Sequence, residues 1–302
     1  MRLIGAVDIG GTKTAVALIR EDGVILGREQ WLTEPELGFP VAVRRIRNVL
    51  GTLSAGSNLA GIGIASPGPF DPHTHVLGLI GTLPGWQGCD LVAEMQQAFG
   101  VAVVLENDAD AAALAEHSWG SGKGSERFLY VTISTGIGGG LILSGDIYRG
   151  AGGAHPEIGH LLVDCSGPLC YCGLRGCWEI LASGTALSAW VREESNSGSE
   201  VTAQQICAHA AAGDPLALRA VAREAHFLGL GLANLVTAFV PDTISLGGGV
   251  MKSSSMFLPQ AIATMRSLCT QVPNDLTRVV VATLGDDAGL LGAASSWLRC
   301  YP

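Results

Sequence analysis

Two stretches of this chain are built alike. Residues 2–9 are an apolar run ending at Gly10-Gly11, and residues 14–20 are a second apolar run behind that bend. Residues 127–134 repeat the first run, residues 135–140 are again glycine-rich, and residues 141–144 return. Short apolar runs bounded by glycine read as buried strands, so each stretch is a hairpin. Each hairpin turns backbone N–H groups toward its bend, a concavity suited to an anion.

The remaining pattern alternates. Strands are expected at 24–31, 59–65, 101–105, 243–246 and 279–284, and helices at 40–53, 91–99, 108–119, 201–212, 215–240, near 257–267 and 287–298. Strands alternating with helices make the fold α/β. A chain of 302 residues is one large domain or two of ordinary size. The Gly-Ser-Gly-Lys-Gly-Ser run at 120–125 has the composition of a flexible linker. It divides the chain into 1–119, rejoined by the last helix at 287–302, and 120–286.

Charge and hydropathy exclude two classes of partner. The net charge is −9, and the one dense basic run, Arg44-Arg45-Ile46-Arg47, reads as the wet face of a helix, so nucleic acid is not expected. The longest apolar stretch, residues 225–240, is short of the ~20 residues that span a bilayer, and Pro241 stops it. Asp8 interrupts the first apolar run too early for a signal peptide. A soluble, cytoplasmic protein without a membrane partner is expected. Four of the eight cysteines crowd into residues 165–177, which in such a chain suggests metal before disulfide.

Five motifs carry chemistry. In Asp8-Ile9-Gly10-Gly11-Thr12-Lys13 the glycines let amides approach anionic oxygens, Thr12 and Lys13 add a hydroxyl and a cation, and Asp8 suits a metal-bound water. An ordinary glycine hairpin has the same local pattern, and this is not a Walker A loop. Ser134-Thr135-Gly136-Ile137-Gly138-Gly139-Gly140 pairs with it as a second phosphate grip. Gly247-Gly248-Gly249, behind a strand and before a helix, suits a nucleotide at a helix N-terminus, or is a tight turn. Glu106-Asn107-Asp108 fits a general base at a strand end, or a helix N-cap. His160 with Cys170, Cys172 and Cys177 matches a closed tetrahedral Zn²⁺ site, structural because no coordination position is left for water. Glu157 and Glu179 flank it as rigid acceptors for a polyhydroxylated ligand, or as two solvated acids. His73, His75, His117, His155 and His226 carry no spacing signal.

Together these motifs, in this order from about residue 6 to residue 294, resemble the ROK family of bacterial glucokinases, N-acetylhexosamine kinases, allose kinases, fructokinases and sugar-responsive repressors. The resemblance implies an actin-like (RNase H-like) ATPase fold with ATP and sugar in a cleft between two lobes. It implies Asp108 as the base that takes the sugar hydroxyl proton, with Gly68, Thr82, Asn107, Glu157, His160 and Glu179 at the sugar. His160, Cys170, Cys172 and Cys177 would bind structural Zn²⁺. Asp8, Gly10, Gly11, Thr12, Lys13, Thr135, Gly136 and Gly138 would hold phosphates and Mg²⁺, and Gly247, Gly248 and Gly249 would lie by the adenosine. It also implies a homo-oligomer, dimer or tetramer.

Two departures bear on the sugar. Thr82 opens Thr82-Leu83-Pro84-Gly85-Trp86 where members often carry Asn, and Pro156 precedes Glu157 where Gly is usual. Glucose is the first expected substrate, and Thr82 would suit an N-acetylated sugar. A repressor would need a helix-turn-helix ahead of the first strand and a less acidic chain. A zinc hydrolase lacks an open metal position, and a silent sugar-binding module would not need Asp108.

Overall fold

The first hairpin closes as β1 (Leu3–Ile9) and β2 (Lys13–Arg20), antiparallel, with Ile9 opposite Thr14. β3 (Ile25–Leu32), α1 (Phe39–Leu53), β4 (Gly61–Ser66), α2 (Leu91–Phe99), β5 (Ala102–Asn107) and α3 (Asp108–Trp119) follow. The sheet order is β3-β2-β1-β4-β5, with β1, β4 and β5 mutually parallel. The register sets Asp8 beside Ala65, and Ala65 beside Glu106. The carboxyl ends of three parallel strands therefore finish level, which is where open α/β sheets carry their chemistry. Phe39, Val43, Ile46 and Leu50 of α1 are buried, the i, i+4, i+7 stripe of a helix lying on a sheet, while Arg44, Arg45 and Arg47 face water as expected.

The second hairpin is β6 (Arg127–Ile133) and β7 (Ile137–Leu143), followed by a short β8 (Asp146–Ile147), α4 (Trp178–Ala182), α5 (Gly184–Ser195), α6 (Ala203–Ala211), α7 (Pro215–Phe239), β9 (Thr243–Gly247), α8 (Leu258–Leu268) and β10 (Arg278–Val281). This sheet runs β8-β7-β6-β9-β10. Again the hairpin is antiparallel and the three strands β6, β9 and β10 are parallel. The repeat seen in the hairpins thus extends to whole sheets. A helix at Ala288–Cys300 closes the chain, and its Trp297 indole donates to the Ala102 carbonyl at 3.1 Å.

This computed structural model describes residues 1–195 and 201–302. The chain packs as two units: Met1–Lys123 with Ile147–His155 and Asp286–Pro302, and Gly124–Asp146 with Pro156–Gly285. The division expected from the 120–125 linker assigns residues 147–155 to the second unit, whereas they pack with the first. The linker is also tied down. Ser121 donates from its amide and its hydroxyl to the buried Glu116 carboxylate, at 2.8 and 2.7 Å.

Three further expectations change. Gly138, Gly139 and Gly140 are strand residues of β7, because only Ser134 to Gly136 form the turn, closed by Ser134 N–H donating to the Gly136 carbonyl at 2.8 Å. Glycine suits this strand at 139, where a Cβ would stand 2.4 Å from the Tyr130 carbonyl oxygen. The helix expected near 257–267 is present as α8, but a 3-10 stretch, Val250–Met256, kinked at Ser253, separates it from Gly249, so no regular helix N-terminus stands directly behind the glycines. Helix α5 carries no counterpart among the expected elements.

Within the described residues no helix is long and apolar enough to cross a membrane. The apolar stretch at 225–240 lies in α7, which supplies Ala225, Leu228, Leu232, Leu235 and Val236 to the second unit's core. The same helix buries Glu224 with neither carboxylate oxygen partnered among the described residues, and burial holds its carboxyl well above the usual range. A carboxyl raised in this way stabilises the fold at low pH and ceases to do so as pH rises above the unfolded value of about 4.3. Glu224→Leu is expected to raise the melting temperature by at least about 2 °C at pH 8 and by less at pH 5. Thermal unfolding at the two pH values checks both size and sign.

Candidate active site

In the first unit the site grows from the level strand ends. The turn after β1 is pinned by Gly10 N–H donating to the Lys13 carbonyl at 2.8 Å. It is braced by Thr33, whose hydroxyl donates to the Gly10 carbonyl at 2.6 Å and whose amide donates to the Thr12 carbonyl at 2.9 Å. Thr12 and Lys13 are exposed beside it. Gly11 is packed against Thr82, whose Cβ lies 2.6 Å from where a Gly11 Cβ would be. One proposed sugar contact thus abuts the proposed phosphate turn.

Asp8 at the end of β1 is a part-buried carboxylate. Burial, then the nearby charge of Asp108, pushes it up to about 7. The C-terminal helix leaves it room only because residue 289 is glycine: a Cβ there would stand 2.3 Å from Asp8 Oδ2.

Of the two readings of Glu106-Asn107-Asp108, the cap falls to Asn107. Asn107 is the N-cap of α3, its Oδ1 accepting from the amides of Ala109 at 2.9 Å and Asp110 at 3.2 Å. Asp108 is the first helical residue and accepts from the Ala109 amide at 2.8 Å. Burial raises the Asp108 carboxyl, while this amide and His155 pull it back down. The Nδ2 side of Asn107 faces Gly68, 3.8 Å from where a Cβ would be.

In the second unit His160, Cys170, Cys172 and Cys177 place their four ligand atoms within 4.8 Å of one another. Cys170 Sγ is 3.6 Å from His160 Nδ1, and Cys172 Sγ is 3.5 Å from Cys177 Sγ. A tetrahedron of zinc–sulfur bonds has edges of about 3.8 Å, so the spacing fits. All eight cysteines are free thiols, which removes the disulfide alternative. The loop closes this tightly because Gly176 has φ +72° and sits where a Cβ would lie 1.5 Å from the Asp164 carbonyl oxygen. Burial pushes the Cys177 thiol up to about 12. A cation taking the charge would reverse that shift. With Nδ1 turned to the thiols, His160 has its other ring nitrogen left for a ligand.

Cys177 leads straight into α4, whose second residue is Glu179. Glu179 Oε2 accepts from the Ile137 amide at 2.8 Å, at the β6–β7 bend. Gly136 makes this possible, since a Cβ there would lie 2.3 Å from the same oxygen. The ring of Tyr171 packs edge-on to His160, centroids 5.1 Å apart, and its hydroxyl feels the charges of Glu179 and Glu157. His160, Glu179 and the exposed Glu157 therefore gather at one place.

Beside that bend is a pocket of about 440 Å³, a volume suited to a small ligand. Thr135, Gly249, Gly184, Ser188, Arg192 and Thr202 are among its walls. Thr135 and Gly249 belong to the expected nucleotide contacts. Gly248 lies behind the rim with φ +91°, while Gly247 and Gly138 are strand residues.

A family model described as the ROK family matches residues 4–299. The chain belongs to the ROK family. Its fold is the actin-like ATPase fold of the solved ROK kinases. It is 33% identical to the glucokinase of Thermotoga maritima, over 98% of this chain and 96% of that one. The ROK hexokinase of Thermus thermophilus is 36% identical, with a TM-score of 0.88 over 99% of both chains. The ROK glucokinase of Streptomyces griseus, solved with glucose and AMPPNP, is 32% identical, with a TM-score of 0.83 over 97% of this chain and 98% of that one.

Against this ROK frame, sequence reasoning overlooked two groups. Helix α5 walls the pocket, and its signal was the buried spacing of Leu187 and Val191 behind Ser183-Gly184. His155, discarded for want of spacing, lies 2.7 Å from Asp110. No local pattern announces a partner 45 residues away. Gly136→Ala is expected to displace the Glu179 carboxylate and raise the KM for a hexose by about tenfold or more, roughly the loss of one charged hydrogen bond. Steady-state kinetics on the folded variant check it.

Proposed function

We propose that this chain is an ATP-dependent hexose kinase that converts glucose to glucose 6-phosphate, with Asp108 as the base. The observation carrying the reading is Asp108 itself: a part-buried carboxylate, raised by burial, at the first turn of α3, its neighbour Asn107 having taken the capping role. Phosphoryl transfer asks for positioning, charge neutralisation and an oriented nucleophile. Asp108 accepts the proton of the sugar hydroxyl as that oxygen attacks the γ-phosphorus, and ADP leaves. Gly68, Thr82, Asn107, Glu157, His160 and Glu179 are the residues assigned to the sugar hydroxyls.

The turn at Gly10, Gly11, Thr12 and Lys13, and the bend at Thr135 and Gly136, present amides to the phosphates. Gly249 and the 440 Å³ pocket receive the adenosine. Asp8 is a hard oxygen donor fit to hold a hydrated Mg²⁺, which when bound neutralises phosphate charge. His160, Cys170, Cys172 and Cys177 hold a structural Zn²⁺, which fixes the loop that delivers Glu179. Free thiolate ligands and an ATP substrate suit a cytoplasmic protein.

ADP release by the purified protein with Mg-ATP, against glucose, mannose, fructose, allose and the N-acetylated hexosamines, tests the reading. Glucose is expected to lead, and an acetylated sugar in first place would overturn the substrate. Asp108→Asn is expected to cut kcat at least about 100-fold with glucose affinity retained. A loss within about tenfold, 1.4 kcal/mol, would remove Asp108 as base. Because its carboxyl is raised and must be ionised to accept a proton, turnover is expected to climb with pH through a limb above the ordinary carboxylate value of about 3.9. Cys172→Ser is expected to lower the zinc content measured by elemental analysis and to weaken glucose binding. Unchanged metal content would sink the zinc assignment.

A further inference from the structure

Near Asp108 stand four ionisable side chains with no part in the reaction as described above: Glu106, Asp110, Arg149 and His155. Asp110, at the third position of α3, is fully buried. Its Oδ2 accepts from Arg149 Nη1 and lies 2.7 Å from His155 Nδ1. As a carboxylate oxygen it only accepts, so the imidazole carries its proton on that nitrogen. The other guanidinium nitrogen, Arg149 Nη2, donates to Glu106 Oε1 at 2.6 Å. The same Glu106 oxygen accepts the Asn107 amide at 2.7 Å. One arginine therefore grips the residue before Asn107-Asp108 and the second residue after that pair. Both Arg149 and His155 come from the segment 147–155, which packs with the first unit.

We propose that Arg149 and His155 are positioning residues for the base: anchored on Asp110 and Glu106, they clamp the β5–α3 turn and hold positive charge beside Asp108. This rests on the reading of Asp108 as the base. The charge balance explains why such a clamp is needed. Asp8 from β1, Glu106 from β5, and Asp108 and Asp110 from α3 are four acids at one end of the sheet. β4 offers no titratable side chain, and the C-terminal helix offers Arg299 and Cys300, whose thiol is raised by burial and by Glu106 and drawn down by Arg299. Among the described residues, Arg149 and, when protonated, His155 are the cations that pair with these acids. Their effect has the matching sign: His155 draws the Asp108 carboxyl down, and Arg149 then His155 draw Glu106 down, although burial still leaves Glu106 up at about 7. Without them Asp108 would meet a sugar hydroxyl in its protonated form over more of the pH range.

The test is steady-state kinetics from pH 5 to 9 on the full chain with Mg-ATP and glucose, for wild type, His155→Ala, His155→Asn, Asp108→Asn and the double variant Asp108→Asn/His155→Ala. His155→Ala is expected to lower kcat by about tenfold or more, to leave both KM values within about threefold, and to move the acid limb to higher pH. His155→Asn keeps an N–H toward Asp110 without the charge. It is expected to restore the melting temperature and to leave the acid limb displaced. The double variant is expected to be no slower than Asp108→Asn alone, since both act on one group.

An unmoved kcat and acid limb in the alanine and asparagine variants would overturn the proposal. So would a change confined to KM, or full recovery of the limb by asparagine, which would mean the contact only anchors the segment. Should the alanine variant not fold, the asparagine variant decides alone through the limb. An inactive wild type would sink the kinase reading instead, while an active wild type with a silent Asp108→Asn leaves that reading standing whatever His155 does.

Discussion

Several part-buried or buried carboxylates crowded at one end of a parallel sheet set the terms for the first unit. A desolvated carboxylate favours its neutral form, and like charges nearby push further the same way. Asp8 and Glu106 accordingly sit near 7, and Asp108 is raised as well. The surrounding structure answers with amides at the start of α3, a guanidinium spanning Glu106 and Asp110, and an imidazole on Asp110. A glycine at 289 lets the C-terminal helix cover Asp8 without striking it. The level register of β1, β4 and β5 brings these groups to one edge.

The second unit repeats the sheet but solves a different problem. Its bend is held by a carboxylate rather than by a threonine: Glu179 accepts the Ile137 amide, where Thr33 braces the first turn. Glu179 is in turn placed two residues behind Cys177, a member of the histidine–cysteine cluster. The stiffness of the bend thus depends on the loop that the cluster closes, and that loop depends on a backbone approach only glycine at 176 permits. The same hairpin topology has been given two different locks, each built from residues distant in the chain.

Much of this was legible in the chain. The two hairpins, the alternation of strands and helices and the four metal-type ligands are local signals, because side-chain period, glycine placement and cysteine spacing act over a few residues. The glycines of β7 misled for a physical reason. Glycine marks a close approach as readily as a bend, and only the neighbouring Tyr130 carbonyl and Ile158 side chain distinguish the two. The choice between base and cap at Asn107-Asp108 also lay beyond local pattern. Both side chains can cap, and the helix start at Asp108 assigned the cap to Asn107.

By itself the sequence determined which residue types stand at each strand end and bend, and with them the family and the class of chemistry. Only the tertiary structure decided the electrostatic company those residues keep. Arg149 and His155 reach Asp110 across 39 and 45 residues, and the last helix returns to cover Asp8 from the far end of the chain. Desolvation and charge pairing depend on distance in space, which chain order does not record.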